Sequence, residues 1–341
     1  SSDLAARSVR SRLVKREERE VIADLVALGG RVLTLDPAGP ADPTAFAVRG
    51  ERIVAVGTDR EIVDLCGPQT RRIDLAGRTA MPGLIDGHAH MDREGLKDVF
   101  PSLAGARSIG DILDIVADLV RSAEPGEWIV TMPIGDPPYY WDVPGILKEG
   151  RFPNRRDLDR VSPDNPVFIR PIWGFWRHTM PLVSIANSRA LEAAGVTART
   201  LPPTATMQIE KDFHTGEPTG VILEWTMSPI AEMSLFSMIP RFTARHRFEA
   251  IGRAQRLYHA FGTTGIFEEH GAAGELVDAY KAVHAAGELT MRTRLVFSPS
   301  WNTVSDAPVR ELLASWARWL SGRGLGDGML RVEGLFAELS E

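Results

Sequence analysis

What most constrains the fold is a change of texture near Ala80. Before it, from Ala23, short β-rich runs alternate with turn residues: Asp24–Leu28, Arg31–Leu35, Ala45–Val48, Arg52–Val56 and Arg71–Leu75. Gly29-Gly30 and Arg49-Gly50-Glu51 fit tight hairpins, and Asp36-Pro37 with Gly39-Pro40 marks a wider loop. Residues 59–66 predict one short helix. The segment therefore reads as a small β unit.

After Ala80, apolar strands alternate with amphipathic helices. Met81–Asp86, Trp128–Pro133, Val167–Pro171, Gly265–Glu268, Arg292–Ser298 and Leu330–Phe336 predict strands. Ile109–Ser122, Ser184–Ala194, Arg245–Phe261, Gly274–Ala286 and Pro308–Leu320 predict helices. That is the pattern of βαβ units and a parallel sheet. The interval from Gly135 to Arg241 is less regular, with Pro137-Pro138, Pro202-Pro203 and a hairpin around His214–Glu217, and reads as an insertion over the site. Residues 1–22 carry closely spaced opposite charges and read as a solvated helical arm. The expected organisation is thus an arm at 1–22, a small β domain at 23–80, and an α/β body at 81–341 with an insertion at about 135–241.

Composition narrows the function. A net charge of −6, with basic residues scattered among acidic ones, argues against nucleic acid as partner. No apolar run approaches the roughly 20 residues that span a bilayer, and the start lacks a secretory apolar stretch, so the expectation is a cytoplasmic protein with no membrane partner. Cys66 is the only cysteine, which rules out an internal disulfide framework and any multi-cysteine zinc cluster. A metal, if bound, needs histidines and carboxylates.

Such a pair ends the first strand of the α/β body. In Met81–His90 a buried strand expected over Met81–Asp86 leads to His88-Ala89-His90. Side chains two apart on extended backbone point the same way, so both imidazoles can address one ion. The C-terminal end of a strand is also where a parallel barrel carries its chemistry. Asp86 stands close enough to orient a ligand histidine. Further along, Trp176 and His178 lie in an aromatic cluster, Trp173-Gly174-Phe175-Trp176-Arg177-His178, suited to lining a substrate pocket. His178 reads equally as a hydrogen-bonded structural histidine. His270 follows Phe267-Glu268-Glu269 at a strand end, positioned for metal or substrate. His214, His246, His259 and His284 fall on a hairpin or helices and carry no assigned role. Ser305-Asp306-Ala307-Pro308 reads as helix capping.

Asp74–Ala80 followed by Met81–His90 resembles the strand-one signature of the amidohydrolase superfamily. Ala27–Asp36 and Ala47–Gly57 resemble the N-terminal strands of the small β-sandwich that flanks the barrel in that superfamily. Beyond residue 90 the chain is similar to the YtcJ-like, or exoenzyme-regulatory, branch. The pieces are Trp176-Arg177-His178, Ala186–Leu191, Thr215–Glu224 and Phe261–Ile266.

The resemblance implies a (β/α)8 TIM-type barrel with a small N-terminal β-sandwich. It implies a metal-dependent hydrolase, with one or two divalent ions, zinc first among them, activating water against an amide or other non-peptide C–N bond. The substrate expected is a small apolar or aromatic molecule, and the assembly a homo-oligomer. The family's metal ligands include a bridging carboxylated lysine or a glutamate. None of the five lysines (Lys15, Lys97, Lys148, Lys211, Lys281) ends a predicted strand. The third ligand expected beside His88 and His90 is therefore Glu224, after the apolar run Gly220–Leu223; its other reading is a salt-bridged strand-end carboxylate. The family's remaining ligands, its catalytic aspartate and its last strands would lie beyond residue 341. The barrel is accordingly expected to be incomplete in this chain, with a C-terminal remainder or a second subunit completing it. The alternative is a non-catalytic or half-site subunit that needs a partner chain.

Overall fold

The computed structural model describes residues 22–336 except 138–139, 141–142, 173–179, 227–228, 273, 299–305, 321 and 323, with backbone alone at 269–271, 306–309, 312 and 319. The arm expected at 1–22 lies outside these residues up to position 21. The chain divides into compact units after Leu84.

In the first unit, β1 (Ala23–Leu28), β3 (Ala45–Arg49), β4 (Arg52–Gly57) and β5 (Cys66–Asp74) form one sheet in the order β4-β3-β1-β5. β1 pairs antiparallel with β3 and parallel with β5. Helix α1 (Asp59–Val63) begins in a reciprocal cap, where Thr58 accepts from the Glu61 N–H and the Glu61 carboxylate accepts from the Thr58 N–H. It buries Ile62 with Ala23, Val26, Ala45 and Ala47. A second, two-stranded sheet joins β2 (Arg31–Val32) to β6 (Thr79–Ala80). The strand expected over Arg31–Leu35 stops at Val32, because Leu35 adopts a φ of 57°, which strand pairing does not accommodate.

The second unit holds two five-stranded sheets. One runs β11-β12-β10-β9-β8, from β8 (Ile129–Thr131), β9 (Val167–Ile169), β10 (Leu182–Ala186), β11 (Met207–Lys211) and β12 (Pro218–Glu224). β8 and β9 are parallel, whereas β9, β10, β12 and β11 pair antiparallel in turn. The 135–241 interval thus supplies four strands of a sheet. The helix predicted from Ser184 starts only at Ser188: Leu182–Ala186 is a strand bonded on both sides, and buried Asn187 then caps α5 (Ser188–Ala193) by accepting the Ala190 N–H.

The other sheet runs β15-β16-β14-β13-β7, from β7 (Leu84–Asp86), β13 (Thr263–Ala272), β14 (Arg292–Phe297), β15 (Leu325–Gly326) and β16 (Leu330–Leu335). β13, β14 and β16 are parallel. Helices α7 (Ala244–Ala260) and α8 (Gly274–Ala285) flank β13 in the chain, and their inner faces bury Ile251, Ala254, Leu276, Tyr280 and Val283 with Ile266 and Leu295. α3 (Ile109–Arg121) starts in a reciprocal cap between Ser108 and Asp111 and buries Ile112 and Val116 against Ile129 and Ile169. Among the described residues these strands do not close into an eight-stranded barrel. Nor is Met81–Asp86 a buried strand: only Leu84–Asp86 is extended, and Leu84 and Ile85 are 51% and 76% exposed. Among the described residues β7 is an edge strand whose one neighbour in the sheet is β13. No described helix is long and apolar enough to cross a membrane.

Candidate metal centre

β7 ends at Asp86, whose carboxylate accepts the His88 backbone N–H at 3.0 Å. Asp86 therefore shapes the turn into the histidines through the main chain. His88 and His90 then stand with ring centroids 5.1 Å apart and planes inclined by 82°. Two imidazoles sharing one tetrahedral ion at about 2.0–2.1 Å from each nitrogen would hold their ring centres about 5 Å apart. The separation of the pair is of that size. His90 is also the N-cap of α2 (Met91–Leu96), and its Nδ1 lies 3.3 Å from an Arg93 guanidinium nitrogen.

The carboxylates near this pair sit on α2 and β13. Asp92 is 2% exposed and receives Arg247 at 3.2 Å on one oxygen. Burial raises its pKa above the ordinary carboxylate range, against the pull of Arg93 and Arg247. Glu268 is 4% exposed and accepts the Met91 N–H at 2.8 Å and the Tyr280 hydroxyl at 2.6 Å. Burial, reinforced by the Asp92 charge, pushes its pKa up to about 8. Sequence reasoning passed over Glu268 in favour of its neighbours. The signal was strand parity: Glu268 shares a face with Ile266, which is fully buried.

Glu224 ends β12 in the other sheet. It is fully buried; one carboxylate oxygen accepts the Ala231 N–H at 2.8 Å, and among the described residues the other has no hydrogen-bond partner. Burial pushes its pKa up to about 7 against the opposing backbone N–H groups. An orphaned carboxylate oxygen in a dry site is suited to a cation. Even so, no three His, Cys, Asp or Glu side chains among the described residues gather closely enough to hold an ion, so Glu224 does not stand with His88 and His90 in such a group. Nor, among the described residues, is it ion-paired at its strand end: the nearby Glu232 takes the buried Arg170, which lies over both the Phe100 and Phe242 rings.

Trp176 and His178 lie outside the described residues, as does the His270 side chain, whose backbone belongs to β13. The histidines without an assigned role have structural partners: His259 bridges the Thr263 carbonyl and the Thr290 hydroxyl, and His284 meets Asp327.

Residues 71–335 match the model of an amidohydrolase family, Amidohydro_3. The chain is 28% identical over 274 residues to an N-substituted formamide deformylase of Arthrobacter pascens, covering 78% of this chain and 46% of that protein. It is 27% identical over 273 residues to the putative amidohydrolase YtcJ of Bacillus subtilis, covering 79% and 47%. An uncharacterized metal-dependent hydrolase from Pyrococcus furiosus superposes with a TM-score of 0.59 at 21% identity, over 91% of this chain and 55% of that one. The chain spans about half the length of the curated relatives it matches. With the family model covering most of the chain and these relatives alongside, the chain belongs to the amidohydrolase family, in its YtcJ-like branch.

Proposed function

We propose that this chain supplies the first part of the catalytic centre of a metal-dependent hydrolase that cleaves a non-peptide C–N bond. The observation that carries the reading is the His88/His90 pair, whose 5.1 Å ring separation suits two nitrogen ligands on one ion. A divalent ion, zinc by preference for this donor type, supplies Lewis acidity that activates water and polarises the scissile carbonyl. His88 and His90 offer the nitrogen donors. Asp86 holds the backbone entering the pair; Glu224, whose second oxygen has no hydrogen-bond partner among the described residues, is the proposed carboxylate ligand and would have to come beside the pair to complete the site. Trp176, His178 and His270 are the proposed substrate contacts. The substrate class is an N-formyl or related amide of a small apolar or aromatic amine, in keeping with the name of the Arthrobacter relative. The parallel β13-β14-β16 sheet with its helices is read as part of a (β/α) barrel, with the small β unit as a separate domain.

A second reading, a half-site subunit completed by a partner chain, is favoured by the exposed apolar edge at Ile85. Edge strands of that kind are ordinarily covered.

Elemental analysis of the protein as isolated, beside release of formate from N-benzylformamide, tests the first reading. The expected result is one to two equivalents of zinc and formate release that a chelator abolishes, with His88→Ala losing both. Metal-free wild-type protein, or undiminished hydrolysis by His88→Ala, would refute it.

A further inference from the structure

The segment His88-Ala89-His90-Met91 is held from one side by two consecutive residues of β13. The Ala89 N–H, between the histidines, donates to the Phe267 carbonyl at 2.8 Å. The Met91 N–H, just after the second histidine, donates to the Glu268 carboxylate at 2.8 Å, across 177 positions of sequence. That same carboxylate oxygen receives the Tyr280 hydroxyl from α8 at 2.6 Å. Ala89, Met91, Glu268 and Tyr280 are all buried, so water does not compete for these bonds. His90 therefore lies between two anchored peptide groups, and the direction of its Cα–Cβ bond follows from where they are anchored.

Main-chain amides are ordinarily tied down by strand pairing or helix turns; here a buried acid from another element does it, at the residue next to a ligand. Removing it leaves the Met91 N–H and the Tyr280 hydroxyl buried without an acceptor, and both would shift to find one. Ligand distances tolerate only about 0.2 Å. A small movement at Met91 is thus felt at the ion.

We propose that Glu268, held in place by Tyr280, is a positioning residue that fixes the His88/His90 pair in metal-binding geometry through the backbone rather than through the rings. The proposal rests on the metal-centre reading above. It assigns Glu268 no contact with metal or substrate.

The test is zinc affinity by chelator competition on the whole protein, with cobalt(II) absorption spectra and metal-free thermal unfolding in parallel, for wild type, Glu268→Ala, Glu268→Gln and Tyr280→Phe. Glu268→Ala is expected to weaken zinc binding about 10–100-fold, the range for residues that orient ligands, and to alter the cobalt spectrum. Glu268→Gln retains an acceptor oxygen for Met91 and is expected to recover affinity to within a few-fold. Tyr280→Phe should fall between them. A merely structural role would lower the metal-free unfolding temperature while leaving zinc affinity and cobalt spectrum as in wild type, and that result overturns the proposal. If Glu268→Ala does not fold, Tyr280→Phe decides: wild-type affinity and spectrum in that variant overturn the assignment equally. Wild-type protein that takes up no zinc would sink the metal-centre reading and this proposal with it, whereas wild-type binding matched by Glu268→Ala sinks the proposal alone.

Discussion

Gly95 is the point where α2, the helix that begins directly after His90, touches α7 most closely, and Gly95→Ala tests how that contact holds the site. A Cβ built there would lie 1.9 Å from the Ala250 carbonyl oxygen and 2.4 Å from its carbon. These are backbone atoms, so no rotamer change makes room. To reach even about 3.2 Å, the helices must separate by roughly 1.3 Å. That movement strains the bonds from the Arg253 guanidinium to the Gly95 carbonyl, both 3.2 Å, and loosens Met91, Leu96 and Ile251, all fully buried. Overpacking of this kind costs about 3 kcal/mol at the upper end of its range. Replacing a helical glycine by alanine recovers about 1 kcal/mol, leaving a net loss of about 2 kcal/mol. For a body of this size that is a fall in unfolding temperature of roughly 4–8 °C. Because α2 starts at Met91, the same shift exceeds the tolerance of metal ligation several times over, so zinc affinity should fall at least about tenfold. Differential scanning calorimetry and chelator competition read the two effects. An unfolding temperature and zinc affinity both equal to wild type would show that α2 yields without consequence and that the close approach does not hold the histidines.

Two further substitutions probe the scaffold. Asn187 accepts from the Val167 and Ala190 N–H groups and donates to the Ser162 and Asn165 carbonyls, all at 2.9–3.0 Å. Asn187→Ala should cost about 4 kcal/mol, about 1 for each buried bond, read as a lowered urea midpoint; a loss under about 1 kcal/mol would mean that water replaces the side chain. Glu232→Ala should cost about 3–5 kcal/mol by stranding the buried Arg170 charge over two aromatic rings, and the same denaturation experiment would contradict this if Arg170→Leu in that background gave no recovery.

The sequence carried the element types well where periodicity was strong. α3, α7 and α8 lie within a residue of expectation at each end, because their apolar spacing and caps are local signals. It failed over Ser184–Ala186, which reads as the start of a helix and which only pairing with β9 and β12 makes part of a strand. It failed again at Met81–Ile85. That run is apolar, and burial was inferred from composition, but the strand lies at a sheet edge.

At the site, the sequence by itself offered the His88/His90 pair; the structure sets the two rings 5.1 Å apart on the turn after β7, with His90 capping α2, rather than on extended strand. The sequence also offered Asp86, two residues away and within reach of the His88 amide. Tertiary structure alone decided where the carboxylates stand. Glu224 carried a family-like motif and stands buried at the end of another sheet, while Glu268 carried no motif and receives Met91 from across the chain. Contacts within a turn follow from backbone geometry, but one spanning 177 positions depends on how β13 packs beside β7, which no local pattern encodes.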